Sequence, residues 1–251
     1  APADCAQHTE LQWDLLIRQA RAANLLAELG LRLREAGVDA QVPPPARLHL
    51  AAADKLVERQ RIAIHWEVRC IQEAVGQRTE KLTLLKGAAY LMRGLPQARS
   101  RIFTDVDILV PREDIDAVEG GLLIAGWQVQ ELDAYNQRYY RQWMHEIPPL
   151  THILRGTSID VHHTILPATA RIRVNTPELF AQLQPLDGHP GIFTLSDADM
   201  LLHSATHLFH EGEFENGLRD LFDLDAMLRH FAQTPGFWEA LVARAQALGL
   251  S

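Results

Sequence analysis

The chain has 251 residues, 47% hydrophobic and 22% charged, and its 32 acidic against 24 basic side chains give a net charge of −8. This length and apolar content sustain a folded core and exclude a disordered chain, and the acidic balance excludes a general electrostatic grip on nucleic acid. Two cysteines, Cys5 and Cys70, cannot build a disulfide framework, no apolar run approaches the ~18 residues of a membrane span, and APADCAQHTE lacks the basic start of a signal peptide, so the expected compartment is cytoplasmic.

Leu11, Leu15, Ala22, Leu25, Leu26, Leu29 and Leu33 recur at helical steps and predict one amphipathic helix to about Glu35. Gly37 ends it, and VPPP at 42–45 reads as a rigid, non-helical connector before a helix from about His49 to Val75. KLTLL at 81–85 reads as a short strand, followed by Lys86-Gly87 and a helix-like AAYLM. TDVDILV at 104–110 reads as a strand whose Val106, Ile108 and Val110 alternate with Asp105 and Asp107. Pro111 opens a helix to about Ala125. Strands are expected near 127–131, 137–143 and 149–155, then a turn at 155–157 and an alternating strand over 158–166. Helices follow at 196 onward, 215–231 and 236–248, the first opened by Ser196 as N-cap. The order is α+β: a helical region over 1–80, an α/β core over 81–175 and a helical region over 176–251. The chain stops at ALGLS directly after a helical pattern, which leaves room for a further C-terminal piece.

Asp105 and Asp107 are the most informative pair. Two residues apart on a strand, their side chains point to one face. Adjacent carboxylates repel, and a divalent cation such as Mg²⁺ relieves that repulsion; the plainer reading is a solvated strand face. Asp160 lies on a later alternating strand, with His162 and Thr164 on its face and Ile159, Val161, His163 and Ile165 on the other. If the apolar faces share the core, Asp160 joins Asp105 and Asp107. Three such carboxylates can hold two Mg²⁺ ions for an in-line attack on a nucleoside triphosphate. Lys86-Gly87, between a strand and a helix, suits phosphate: glycine admits backbone N–H groups and the lysine supplies a point charge.

In this combination the sequence resembles the uncharacterised bacterial nucleotidyltransferase family within the DNA polymerase β-like superfamily. The matching elements are Lys86-Gly87, Arg101 four residues before the first aspartate, Asp105-Val106-Asp107 and Asp160-Val161-His162, with the segments HEIPPLTHILRGTSIDVHHTIL and LLHSATHLF…LRDLFDLDAML. Ala88 stands where the superfamily usually has Gly or Ser. The resemblance implies a small mixed β-sheet with helices on one side and helical flanks, two Mg²⁺ ions and an NTP co-substrate. Arg101 then either binds the triphosphate or pairs with Asp105 or Asp107. His162 contacts metal-bound water or nucleotide, or orients a neighbour, and His207 lies near the nucleotide cleft.

Other clusters have plainer readings. His203, His207 and His210 share a helical face, but Ser204 replaces the glutamate of a zinc-binding HExxH, so packing or bonding to Asp220 or Asp223 is expected. Tyr135, Tyr139, Tyr140 and Trp143 read as sheet packing before base stacking, and Glu146 as a loop acid before an acceptor-side base. The expected activity is transfer of a nucleoside monophosphate, AMP by default, to a hydroxyl of an acceptor that is a small molecule, saccharide or protein. Asp105, Asp107 and Asp160 would bind metal, and Lys86, Gly87 and Arg101 the triphosphate. A toxin-like transfer to tRNA and a catalytically silent nucleotide-binding scaffold are the alternatives.

Overall fold

The computed structural model describes residues 8–129, 133–210 and 216–251. It is an α+β fold, as the sequence predicts, and among the described residues ten α-helices surround a seven-stranded mixed sheet. No helix among them is long and apolar enough to cross a membrane.

The single N-terminal helix is in fact two, α1 (Glu10–Ala22) and α2 (Leu26–Glu35). The break is a left-handed residue, Asn24, at φ 55°. The Leu25 N–H donates to the Ala20 carbonyl at 2.8 Å and the Asn24 N–H to that of Arg21 at 3.1 Å, which satisfies the helix end and turns the chain. Apolar spacing continues through such a corner, so periodicity alone did not reveal it. The next helix, α3 (Pro44–Val75), starts earlier than expected. Pro44 and Pro45 occupy its first turn, where a missing N–H costs nothing, and only Pro43 remains outside. Thirty-two residues make a rod about 48 Å long. Its first half packs Leu50, Ala53 and Val57 against Trp13, Ile17, Leu26 and Leu33. Its second half packs Ile64, Val68, Ile71 and Val75 into the main core.

The strands are β1 (Leu82–Leu84), β2 (Asp105–Leu109), β3 (Trp127–Val129), β4 (Leu150–His152), β5 (Ser158–His162), β6 (Gln184–Pro185) and β7 (Ile192–Thr194). Their order is β3-β4-β5-β2-β1-β7-β6. β2 runs parallel to β5, and β1 antiparallel to β2 and parallel to β7. β6, β7 and the short helix α7 (Thr176–Ala181) were not anticipated: each is six residues or fewer, and β7 is defined by pairing with β1 about a hundred positions away. The end of the strand expected over 127–131 falls outside the described residues.

Helix α4 (Lys86–Met92) follows β1, and α5 (Ile115–Ile124) follows β2 after a 3-10 turn at Arg112–Asp114. The strand expected over 137–143 is instead a helix, α6 (Ala134–Trp143). Asp133 caps it, accepting from the Tyr135 and Asn136 N–H groups at 2.9 and 2.8 Å. Arg141 clamps Glu119 of α5 through two bonds of 2.9 and 2.7 Å. Its aromatics are not sheet packing: Tyr135 is 74% and Trp143 48% exposed. Their spacing, 135, 139 and 143, is helical, and it was the available signal. The chain closes with α8 (Asp197–His210), α9 (Gly217–Phe231) and α10 (Phe237–Leu248). Arg244 of α10 grips the fully buried Asp199 of α8 at 2.8 Å to each oxygen.

Candidate active site

The parallel pairing of β2 with β5 sets Asp107 beside Asp160 and Asp105 beside Ser158. Laterally paired residues point to the same face, so the three aspartates share one side of the sheet. Val106, Ile108, Ile159 and Val161 fill the other side and are at most 1% exposed. Burial of the apolar faces therefore fixes where the acids go.

The three carboxylates have different surroundings. Asp107 is buried, accepts from Lys86 Nζ at 2.9 Å and lies 3.1 Å from His162 Nε2. Burial by itself would push its acidity down. The Lys86 charge and the hydrogen bond with His162 more than offset this and hold the carboxyl well below the usual range. Asp160 is driven the other way: burial, then the charges of Asp107 and Asp105, outweigh the pull of Lys86 and push it up to about 7. Asp105 is likewise raised by burial and by Asp107, although Thr104 Oγ1 donates to it at 3.1 Å. A row in which ionised carboxylates raise each other's proton affinity is a row short of positive charge.

The chain matches the model of a family described as uncharacterised nucleotidyltransferases over residues 9–251. It belongs to that family. No curated relative matches it.

Lys86 sits at the β1–α4 junction with φ 40°, an uncommon backbone for a lysine. That conformation accompanies the placement of its ammonium on Asp107. Gly87 is buried, and a Cβ there would lie 3.1 Å from both Arg101 Nε and Phe103 Cδ1. Its missing side chain therefore makes room for Arg101. Arg101 is buried too, but its ion-pair partner is Asp223 of α9 rather than Asp105 or Asp107, and its guanidinium lies 5.5 Å from the centre of the Tyr90 ring. Burial and the nearby Arg219 charge lower its proton affinity. Lys86, Tyr90, Arg101, Ser204, His207, Arg219, Asp220 and Asp223 line a cavity of about 30 Å³. Arg219 was not singled out from sequence; it bonds Asp220 at 2.8 Å.

His207 thus reaches the Lys86 cavity. Burial, then Lys86, lower it to about 4, so it is neutral at pH 7. His203 is buried on the same helix and is held well below its ordinary value, mainly by burial. Asp223 pairs with Arg101 and Asp220 with Arg219. His163 is buried, as expected, with Arg112 Nη1 3.1 Å from its Nε2.

Glu146 is no loop acid. It pairs with His162 across the edge of β5, and its Oε2 lies 3.4 Å from His162 Nε2. The cause is a register shift. Leu150 pairs with Ile159 and Thr151 with Ser158, a register that would set Ile147 opposite His162. One extra residue at Pro148-Pro149 makes a bulge, so Glu146 takes that place and Ile147 turns to the core, 3% exposed. The Ile147 N–H donates to Val161 at 3.0 Å and the His163 N–H to His145 at 2.9 Å, which hold the shifted register. Proline has no N–H to lose at the bulge. Among the described residues, His145, Glu146 and His162 form the group of three whose donor atoms all lie within 4.8 Å of one another. The three aspartates as they stand do not form such a group.

Proposed function

We propose that the protein is a Mg²⁺-dependent nucleotidyltransferase of the polymerase β-like kind. It moves a nucleoside monophosphate, AMP as the working choice, from an NTP to an acceptor hydroxyl. The observation that carries this reading is the lateral pair Asp107–Asp160 with Asp105 on the same face, beside Lys86.

The donor set fits hard divalent ions. The row is all-oxygen and charge-deficient, with Asp107 buried and Asp105 and Asp160 half-buried, and these three would hold the metal. Bound there, Mg²⁺ would neutralise the charge that builds on the phosphoryl oxygens and the leaving pyrophosphate. In the transfer, the acceptor oxygen forms a bond to the α-phosphorus as the bond to the β-phosphate oxygen breaks. Pyrophosphate leaves, and the hydroxyl proton passes to a carboxylate oxygen of Asp160. That group later returns the proton to water. His162 holds Asp107 in place through Nε2. Lys86 leaves Asp107 for the phosphates, and His207 and Arg219 border the cavity it enters. Arg101 and Gly87 act together, the guanidinium bracing α9 against the β1–α4 turn.

The test is a thermal-unfolding screen with ATP, CTP, GTP and UTP, with and without Mg²⁺, on wild type and on Asp105→Asn/Asp107→Asn. A nucleotide at a hundred times its Kd raises Tm by about 5–10 °C. The expected result is a Mg²⁺-dependent shift with one nucleotide that the double variant loses. Incubation of that nucleotide, α-labelled, with small-molecule, saccharide, protein and RNA pools then finds the acceptor. No shift with any nucleotide would overturn the reading, and a shift without pyrophosphate release in any acceptor pool would favour the silent nucleotide-binding scaffold.

A further inference from the structure

His145 and His162 stack with ring centroids 5.2 Å apart and planes 29° apart. Their Nε2 atoms both approach Glu146 Oε2, at 4.0 and 3.4 Å. Asp107 Oδ1 lies 3.1 Å from His162 Nε2 on another side. Two carboxylate oxygens thus converge on one imidazole nitrogen, which carries at most one proton. The donor atoms of His145, Glu146 and His162 all lie within 4.8 Å of one another, close enough for one cation to draw on all three. Donors around a tetrahedral Zn²⁺ lie about 3.3 Å apart, so the observed separations need only small side-chain adjustments.

We propose that His145, Glu146 and His162 form a binding site for a borderline transition-metal ion, Zn²⁺ or Co²⁺, whose fourth position is open to water. Two imidazole nitrogens suit such ions and are poor ligands for Mg²⁺, so this site differs in kind from the all-oxygen aspartate row. The fold builds it deliberately. The bulge at Pro148-Pro149 turns Glu146 to this face, and the bond from the His163 N–H to the His145 carbonyl holds the histidine beside it. The site does not rest on nucleotide transfer, because it is tested with metal alone.

The experiment titrates Co²⁺ into the metal-stripped full chain and follows visible absorption. The expected result is saturable uptake of one ion per chain, with the intense d–d bands of four-coordinate Co²⁺. Zn²⁺ displaces the ion and millimolar Mg²⁺ does not. Glu146→Gln and His145→Gln each weaken binding at least about tenfold. Their far-UV circular dichroism and metal-free Tm serve as folding controls, and either variant suffices if the other does not fold. Asp105→Asn leaves binding nearly unchanged. Absence of uptake overturns the proposal. Uptake unaltered in both Glu146→Gln and His145→Gln assigns the ion to other histidines and also overturns it. Uptake lost in Asp105→Asn but kept in His145→Gln moves the ion to the aspartate row and overturns it as well.

Discussion

Two neighbours of β5 build the site in opposite ways. On one side β2 lies in unbroken parallel register over five residue pairs, and its alternation carries Asp105 and Asp107 to the face of Asp160. On the other side the 145–151 segment pairs in two registers separated by a bulge, and the slip turns Glu146 in and Ile147 down. The regular side supplies the charge-deficient oxygen row. The irregular side supplies histidine and glutamate. A regular strand passes its side chains to a face by rule, whereas an edge can choose which residue it presents by adding one.

The largest effect should come from the regular side. Asp107→Asn removes the carboxylate that Lys86 and His162 share, and nucleotide transfer should fall about a thousandfold, equivalent to roughly 4 kcal/mol of transition-state stabilisation. Pyrophosphate release measures it, and unchanged turnover would end the assignment of the row.

The irregular side is broken by Ile147→Ala. If the bulge directs Ile147 to the core, truncation should cost about 2–4 kcal/mol in denaturant unfolding. Glu146→Ala, on the other face of the same edge, should cost much less. Similar losses for both would contradict the shifted register.

A third test sharpens the electrostatic contrast within the row. Asp160 keeps its proton to about pH 7 in the native chain, well above the ordinary carboxylate value. The native state therefore binds more protons than the unfolded state between about pH 4 and 7, and this group lowers stability as pH rises through that window. Asp160→Asn should be more stable than wild type at pH 8 in Mg²⁺-free buffer, by about 1–3 kcal/mol. The difference should vanish below about pH 4. Urea midpoints across pH read it directly, and a difference that grows toward acid would refute it.

The smallest effect lies outside both neighbours, in α8. Burial holds His203 well below its ordinary value, so the unfolded chain takes a proton that the native one refuses. Its contribution is present above about pH 6.5 and is lost as pH falls, by about 1 kcal/mol between pH 6.5 and 5.5. His145, His163 and His207 add slopes of the same sign. The measurement is thus the difference between wild type and His203→Gln, which should shrink toward acid.

Much of the site was legible because it follows a period of two. Asp105, Asp107, Asp160 and His162 could be put on one face from alternation alone, and the burial of Val106, Ile108, Ile159 and Val161 agrees. Lys86 beside the row was legible as a lysine-glycine turn after a strand. The partner of Arg101 was not legible: Asp223 lies more than a hundred positions away, and pairing over that span leaves no local pattern. The segment 137–143, expected as a strand, is helical in α6, and the spacing of Tyr135, Tyr139 and Trp143 by four is the local signal of that helix. The corner at Asn24 was hidden because an apolar stripe runs through it.

By itself the sequence determined the α+β order, the apolar and acidic faces of β2 and β5, and the family to which the chain belongs. These follow from local periodicity and from motif spacing, which a chain carries whether or not it is folded. Only the tertiary structure decided that Asp107 rests on Lys86 and His162, that Arg101 braces α9, and that Glu146 stands beside two histidines. Those contacts depend on strand register and on how helices close over a sheet. Both are settled by burial summed over the whole core, a quantity that no short stretch of sequence contains.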